Sequence, residues 1–316
     1  MAILRIDPWD PEYGTSLELE LQDSLPQSVE LDVEPVAWTP ISPPTLESIP
    51  CCAFVDGVRR IDLRLFAEES GAMAPALAGS WACGVAWSTK PPSVGEVVVG
   101  RTLVVGGGLT HHDLTPRIGA DDLQYVFVGV AGETPIDPIV GLQNIMRQAE
   151  GVLAQTVFEG GEGELLVLDG PLTYFAQGPV VGMIKRQSRS YLPIDRTTIL
   201  TALAEGQRTP LFRLGEQRLE RYSWYARLAS VRPIDGGMTG MVRLEVATSI
   251  GLERARELAD LTTSVLPRFA SVIGRDPRAP QNLYPVGHLE RILRHRLGDA
   301  ALVKRALELS LWETYV

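Results

Sequence analysis

The chain has 316 residues, 45% hydrophobic and 22% charged, which is enough to bury a full globular core. No apolar run reaches the roughly 18 residues of a membrane span, and the start turns acidic within seven residues without a basic n-region, so a cytoplasmic protein with no membrane anchor is expected. The net charge of −10 argues at first sight against nucleic acid, but residues 1–50 carry ten acidic groups against Arg5 alone, which leaves the other 266 residues close to neutral.

Residues 1–50 also hold eight of the 23 prolines and read as an acidic, Pro-rich arm, extended and irregular, with one alternating strand at 17–21. Such an arm would pack over the main domain, residues 51–316, or over a neighbouring subunit. Ala53–Val55 reads as a buried strand and Ile61–Phe66 as a half-buried one. Asp56-Gly57 between them reads two ways: as a hairpin turn, or as a carboxylate on a central strand with Gly57 a bulge that leaves room for a ligand. Ser80–Ser88 and Glu96–Val105 complete an antiparallel three-stranded meander. Cys51, Cys52 and Cys83 lack CxxC spacing and read as buried thiols. Gly106-Gly107-Gly108 lacks the GK[ST] that a phosphate loop needs, and His111-His112-Asp113 reads as a solvated loop.

Leu123–Val130 is a further strand. Pro138 opens an amphipathic helix to Glu159, with Leu142, Met146, Ala149, Leu153 and Val157 on its apolar face. Glu150 lies at the edge of that face, able to reach the sheet, and Glu159 on the opposite flank. Leu165–Leu168 is a strand buried on both faces that ends in Asp169, where Gly170-Pro171 turns the chain away. There the carboxylate either faces an open crevice or caps the turn. Val180–Lys185 delivers a cation, followed by Arg186, Arg189 and Arg196. Lys185 either neutralises nearby carboxylates and holds a phosphate or belongs to a surface charge cluster. Arg196–Glu205 is expected as a short helix, Leu219–Ala229 as a strand with outward aromatics, Met241–Val246 as its partner carrying Glu245, and Leu252–Leu266 as a helix. Two C-terminal helices follow, the first striped by Val286, Leu289, Leu293 and Leu297, with His288 and His295 on one flank and Arg291 in a basic stretch.

Carboxylates from separated elements, with no Cys or His cage, are the ligand set of Mg²⁺ or Mn²⁺ rather than zinc. Asp on an early strand, Glu on a helix and Asp at the end of the next strand, then Lys and a late His, point to an RNase H-like core. In the order FVDG (54–57), RQAEG (147–151), VLDGPL (167–172), VGMIKR (181–186), VRLEV (242–246) and YPVGHLE (284–290), the chain resembles the NurA nuclease family. The resemblance implies an α/β fold with an RNase H-like mixed sheet flanked by helices. It also implies Mn²⁺-dependent (alternatively Mg²⁺-dependent) 5′ to 3′ exonuclease and single-strand endonuclease activity on DNA, a homodimer, and a HerA-type hexameric translocase as partner in end resection and double-strand break repair. Carried over by position, Asp56, Glu150 and Asp169 are the expected metal carboxylates and Lys185 and His288 the residues acting at the phosphate. Lys185, Arg186, Arg189 and Arg291 are the expected contacts to nucleic acid, with Glu245 and Tyr284 as weaker transfers. Where the family often has Ser after the first Asp-Gly, this chain has Val58, and the acidic arm has no counterpart in the family pattern. The rival readings are a non-catalytic nucleic-acid-binding or scaffolding subunit of the same fold, and an actin-like ATPase, which would need glycine-rich phosphate loops.

Overall fold

The computed structural model describes residues 1–7, 28–161, 163–172, 178–185, 191–215, 219–230, 232 and 234–313. Its frame is the meander of β3 (Cys52–Glu69), β4 (Ala72–Trp87) and β5 (Ser93–Val105), preceded in the chain by β1 (Ile3–Ile6) and β2 (Ser28–Glu30). The small β6 (Arg117–Ile118) and β7 (Asp121–Asp122) and the edge strand β8 (Val126–Gly129) lead into helix α1 (Asp137–Glu159). Then come β9 (Leu165–Asp169), β10 (Val180–Ile184), α2 (Thr198–Ala202), β11 (Phe212–Gly215), β12 (Arg221–Arg227) and β13 (Met241–Ala247). The chain closes with α3 (Leu252–Val265), α4 (Tyr284–Arg296) and α5 (Ala300–Glu313).

The core runs β5-β4-β3-β9-β10. β3, β4 and β5 are antiparallel neighbours, while β9 runs parallel to β3 and β10 parallel to β9. This is the RNase H-like order, with α1 as the crossover that returns the chain to β9. β13, β12, β11 and β2 extend the sheet on the β10 side by antiparallel pairing, and β8 pairs parallel with β5 at the other edge. No helix among the described residues is long and apolar enough to cross a membrane.

The hairpin turn between β3 and β4 lies at Ser70-Gly71, both at positive φ (51° and 86°), as a two-residue turn matching the strand twist requires. Asp56-Gly57 is therefore not a turn: Asp56 pairs with Gly84 and Gly57 with Cys83 in unbroken register. Nor is Gly57 a bulge, because the irregularity falls between Ile61 and Leu63. That extra residue reverses the alternation of faces. Ile61 packs with Ile139 and Leu142 of α1, whereas Leu63 and Leu65 pack with Val303, Leu307 and Leu311 of α5.

Before the bulge the two faces sort cleanly, as period-two alternation dictates. Cys52, Phe54 and Val58 meet Leu258 of α3 and Val286, Leu289 and Leu293 of α4. Ala53 and Val55 meet Leu153, Ala154 and Val157 of α1. Two expectations change. The helix expected at Arg196–Glu205 is a 3₁₀ turn at Ile194–Arg196 followed by the single short helix α2, because the chain is extended again at Leu203. The aromatics of β12 are not outward: Trp224 and Tyr225 are fully buried, Trp224 in the core shared with α3 and Tyr225 against Ile199, Leu200 and Phe212.

Two short strands of the arm join the sheet, and the rest of its described residues are irregular. β1 pairs with β3 and β2 with β11. Glu34, 3% exposed, accepts a fork from Arg208 at 2.9 and 3.0 Å and the Leu211 backbone N–H at 2.7 Å. The strand expected at 17–21 lies outside the described residues.

Candidate metal centre

Asp56 shares a sheet face with Phe54 and Val58, so it points toward α4 from the middle of the sheet. α4 reaches that spot because β4 has glycine directly opposite: a Cβ on Gly84 would come within 3.1 Å of Leu289 and 3.2 Å of Leu293. Asp169, the last residue of β9, projects to the same face as Val167, and Lys185 to that of Met183. Glu290 enters from α4, one position after Leu289 on the helix's buried stripe.

The result is three carboxylates, Asp56, Asp169 and Glu290, each offering an oxygen within 4.8 Å of the other two. Their partners differ. Lys185 Nζ donates to Asp169 Oδ2 at 2.5 Å and to Asn282 Oδ1 at 2.6 Å. Glu290 accepts a two-pronged bond from Arg278 at 2.5 and 2.6 Å. Asp56, 5% exposed, has an Oδ2 with no hydrogen-bond partner among the described residues. Burial first, and then the neighbouring charge of Asp169, hold the Asp56 carboxyl well above the usual carboxylate range. A buried carboxylate oxygen left without a donor costs free energy unless a cation uses it, and an all-oxygen donor set of this kind suits Mg²⁺ or Mn²⁺. The residues present therefore fit a hard divalent ion.

Glu150 lies on the other side of β3. Its carboxylate fills the space above Gly57, where a Cβ would come within 2.3 Å of Oε1, so Gly57 is small in order to admit a side chain of α1. Burial pushes the Glu150 carboxyl up to about 8, with Arg147 opposing that shift and Asp169 adding to it. Glu150 thus feels the cluster electrostatically, while the tightest grouping is formed by Asp56, Asp169 and Glu290.

The structure does not bring His288 to these carboxylates. It is exposed, with Nδ1 3.0 Å from an Arg291 nitrogen, and two residues from Glu290 is more than half a helical turn away. His288, Arg291, Ile292, His295 and Arg296 line an open groove of about 580 Å³ on the outer side of α4. Glu245 is fully buried and saturated: Arg221 at 2.9 Å, Arg243 at 2.6 Å and the Leu172 N–H at 2.9 Å hold it below the usual range against the cost of burial. It braces the turn that follows Asp169. Tyr284 is 48% exposed and packs on Phe269. Arg186 and Arg189 lie outside the described residues.

Sequence reasoning missed Glu290, Arg278 and Asn282. Glu290 carried the signal that singled out Glu150, a carboxylate at the edge of an apolar helical stripe. Arg278 and Asn282 sit in an irregular loop and carried none.

No protein-family model matches the chain, and no curated protein does. Among solved structures, the chain is similar to the NurA nuclease from Sulfolobus solfataricus, with a TM-score of 0.47 and 10% identity over 86% of each chain, a distant likeness at the level of the overall fold.

Proposed function

We propose that the chain is a divalent-metal-dependent deoxyribonuclease. The observation that carries this reading is the unpartnered, buried Asp56 Oδ2 beside Asp169 on the central strands of an RNase H-like core. Asp56 and Asp169 would hold the ion, while Glu150, across β3 from them, would act on the site only through its charge. A divalent ion there supplies charge neutralisation at a phosphoryl group and activation of water. Asp169 fixes Lys185 by a charge-assisted bond and Asn282 fixes it from the other side, so the ammonium is positioned to hold a phosphate oxygen. Arg291 and His288 line the outer groove of α4, where a nucleic-acid backbone would find cations, and Arg186 and Arg189 follow Lys185 in sequence.

The motif order that resembles the NurA family supports the finer assignments. These are Mn²⁺ as the working ion, 5′ to 3′ exonuclease and single-strand endonuclease activity, a homodimer, and a HerA-type translocase as partner in DNA end resection. The acidic segment 1–50 and the nuclease domain 51–316 are proposed as the units of the chain. The test is an assay on end-labelled single- and double-stranded DNA with and without Mn²⁺. Mn²⁺-dependent shortening from the 5′ end supports the reading. DNA binding with no cleavage under any divalent ion would establish the non-catalytic subunit instead. A monomer by light scattering at micromolar concentration would remove the homodimer.

A further inference from the structure

Two of the three clustered carboxylates carry their own cation, and the two cations are held differently. Lys185 is 16% exposed at its side chain and is shared between Asp169 and the fully buried Asn282. Arg278 is 48% exposed, and its side chain is held by two carboxylates, Glu290 through the fork and Asp276 at 3.5 Å. Asp276 is itself anchored: it accepts from Asn282 Nδ2 at 2.5 Å and from the Arg278 backbone N–H at 2.8 Å. The pair of Asp276 and Asn282 lies against Gly287 of α4, where a Cβ would come within 3.2 Å of Asn282. One run of bonds therefore links Asp169, Lys185, Asn282, Asp276, Arg278 and Glu290 around Asp56, whose Oδ2 has no donor among the described residues.

In this run the Arg278 guanidinium is the cation that can leave. It is half in solvent, it retains Asp276 when it lets go of Glu290, and it comes from an irregular loop rather than a strand. Glu290 cannot follow it, because α4 is fixed on the sheet by Leu289 and Leu293. Without a counter-charge, Glu290 would stand 8% exposed beside two other carboxylates, which is strongly unfavourable.

We propose that Glu290 is a ligand of the divalent cation together with Asp56 and Asp169, and that Arg278 is a resident counter-cation that balances Glu290 in the cation-free site and releases it when the ion binds. The inference rests on the metal reading given above, and it is independent of whether DNA is the substrate. Arg278 then sets the affinity of the site, since every binding event includes the loss of its fork.

The test measures Mn²⁺ binding to the full chain by calorimetry without DNA, and melting in cation-free buffer. Glu290→Gln is expected to weaken Mn²⁺ binding by roughly tenfold or more. Arg278→Gln is expected to tighten it several-fold while lowering the cation-free melting temperature, with Arg278→Lys in between. The double variant is expected to bind like Glu290→Gln alone. Unchanged or weaker binding in Arg278→Gln, or unchanged binding in Glu290→Gln, overturns the proposal. Should Arg278→Gln fail to fold, Arg278→Lys decides by the same sign. A chain that shows this pattern yet leaves DNA intact supports the proposal and refutes the nuclease. A chain that cleaves DNA with Mn²⁺ while ignoring both substitutions refutes only the proposal.

Discussion

Glu245 and Asp56 are both buried acids on one sheet, and they are treated in opposite ways. Glu245 meets two guanidinium groups and a backbone N–H, and its carboxyl is held below the ordinary range despite complete burial. Asp56 is surrounded by other carboxylates, keeps an oxygen without a donor and is held above that range. The first arrangement stabilises the fold as it stands. The second raises its free energy until a cation arrives, and that contrast separates a bracing acid from a binding one more clearly than burial does.

Breaking the braced side has the largest expected effect. Glu245→Ala leaves Arg221 and Arg243 buried without their carboxylate, and loss of one partner of a buried pair costs about 3–5 kcal/mol. Urea denaturation should show that loss, and a change below about 1 kcal/mol would mean the two acids are not different in kind.

Asp56→Asn probes the other side. It removes a buried charge site that lacks a partner, so the cation-free protein should gain stability on the order of 1–2 kcal/mol. It should also lose cleavage and the Mn²⁺-induced rise in melting temperature. A variant that unfolds, judged by circular dichroism, would show that Asp56 supports packing instead.

The contrast also has a pH signature. Glu150 titrates near 8 in the folded chain against an ordinary 4.5, so between those values the unfolded chain releases a proton that the folded one keeps. Stability of the cation-free protein must then fall as pH rises through that window. Glu245, held low, contributes in the opposite sense: its stabilisation is present above about 4.5 and is lost as pH falls below it. Glu150→Gln should flatten the decline toward pH 8 in a series of melting curves. An unchanged slope would mean that Glu150 is ionised in the folded state.

The smallest effect is expected at Glu159, exposed and bonded to Gln155 at 2.5 Å. Glu159→Gln should change stability by less than about 0.5 kcal/mol and retain both activity and the response to Mn²⁺, whereas Asp169→Asn should lose both. A dead Glu159→Gln would mean that the site lies on the solvent flank of α1 and not at Asp169.

What could be read from the sequence was what local pattern controls. The meander, α1 and β9 follow from apolar runs and periodicity, and Asp169 follows from its place at a strand end. Asp56-Gly57 resisted because the dipeptide favours a turn, while the long pairing of β3 with β4 and the turn at Ser70-Gly71 overrule it. The reason for Gly57, a carboxylate from a helix some ninety residues later, is invisible until α1 is docked. Glu290 depends in the same way on Gly84, and Arg278 and Asn282 on how one loop folds over α4. The buried state of Trp224 and Tyr225 escaped because it needs layers on both faces of β12.

Helix α4 is lashed to the sheet at both ends. Just before its start Asn282 ties it to the sheet through Lys185, while Arg278 ties the preceding loop to Glu290 at its middle, and at its end Arg60 and Arg101 reach the carbonyls of Leu297 and Gly298 at 2.7–3.3 Å. The two moorings differ in kind, since the C-terminal one uses backbone oxygens that cation binding does not touch. In an amide hydrogen-exchange experiment, the stretch from Leu289 to Leu297 should therefore exchange only with global opening, with or without divalent ion. The loop between Phe269 and Leu283 should exchange through its own smaller fluctuations and speed up when Arg278 lets go.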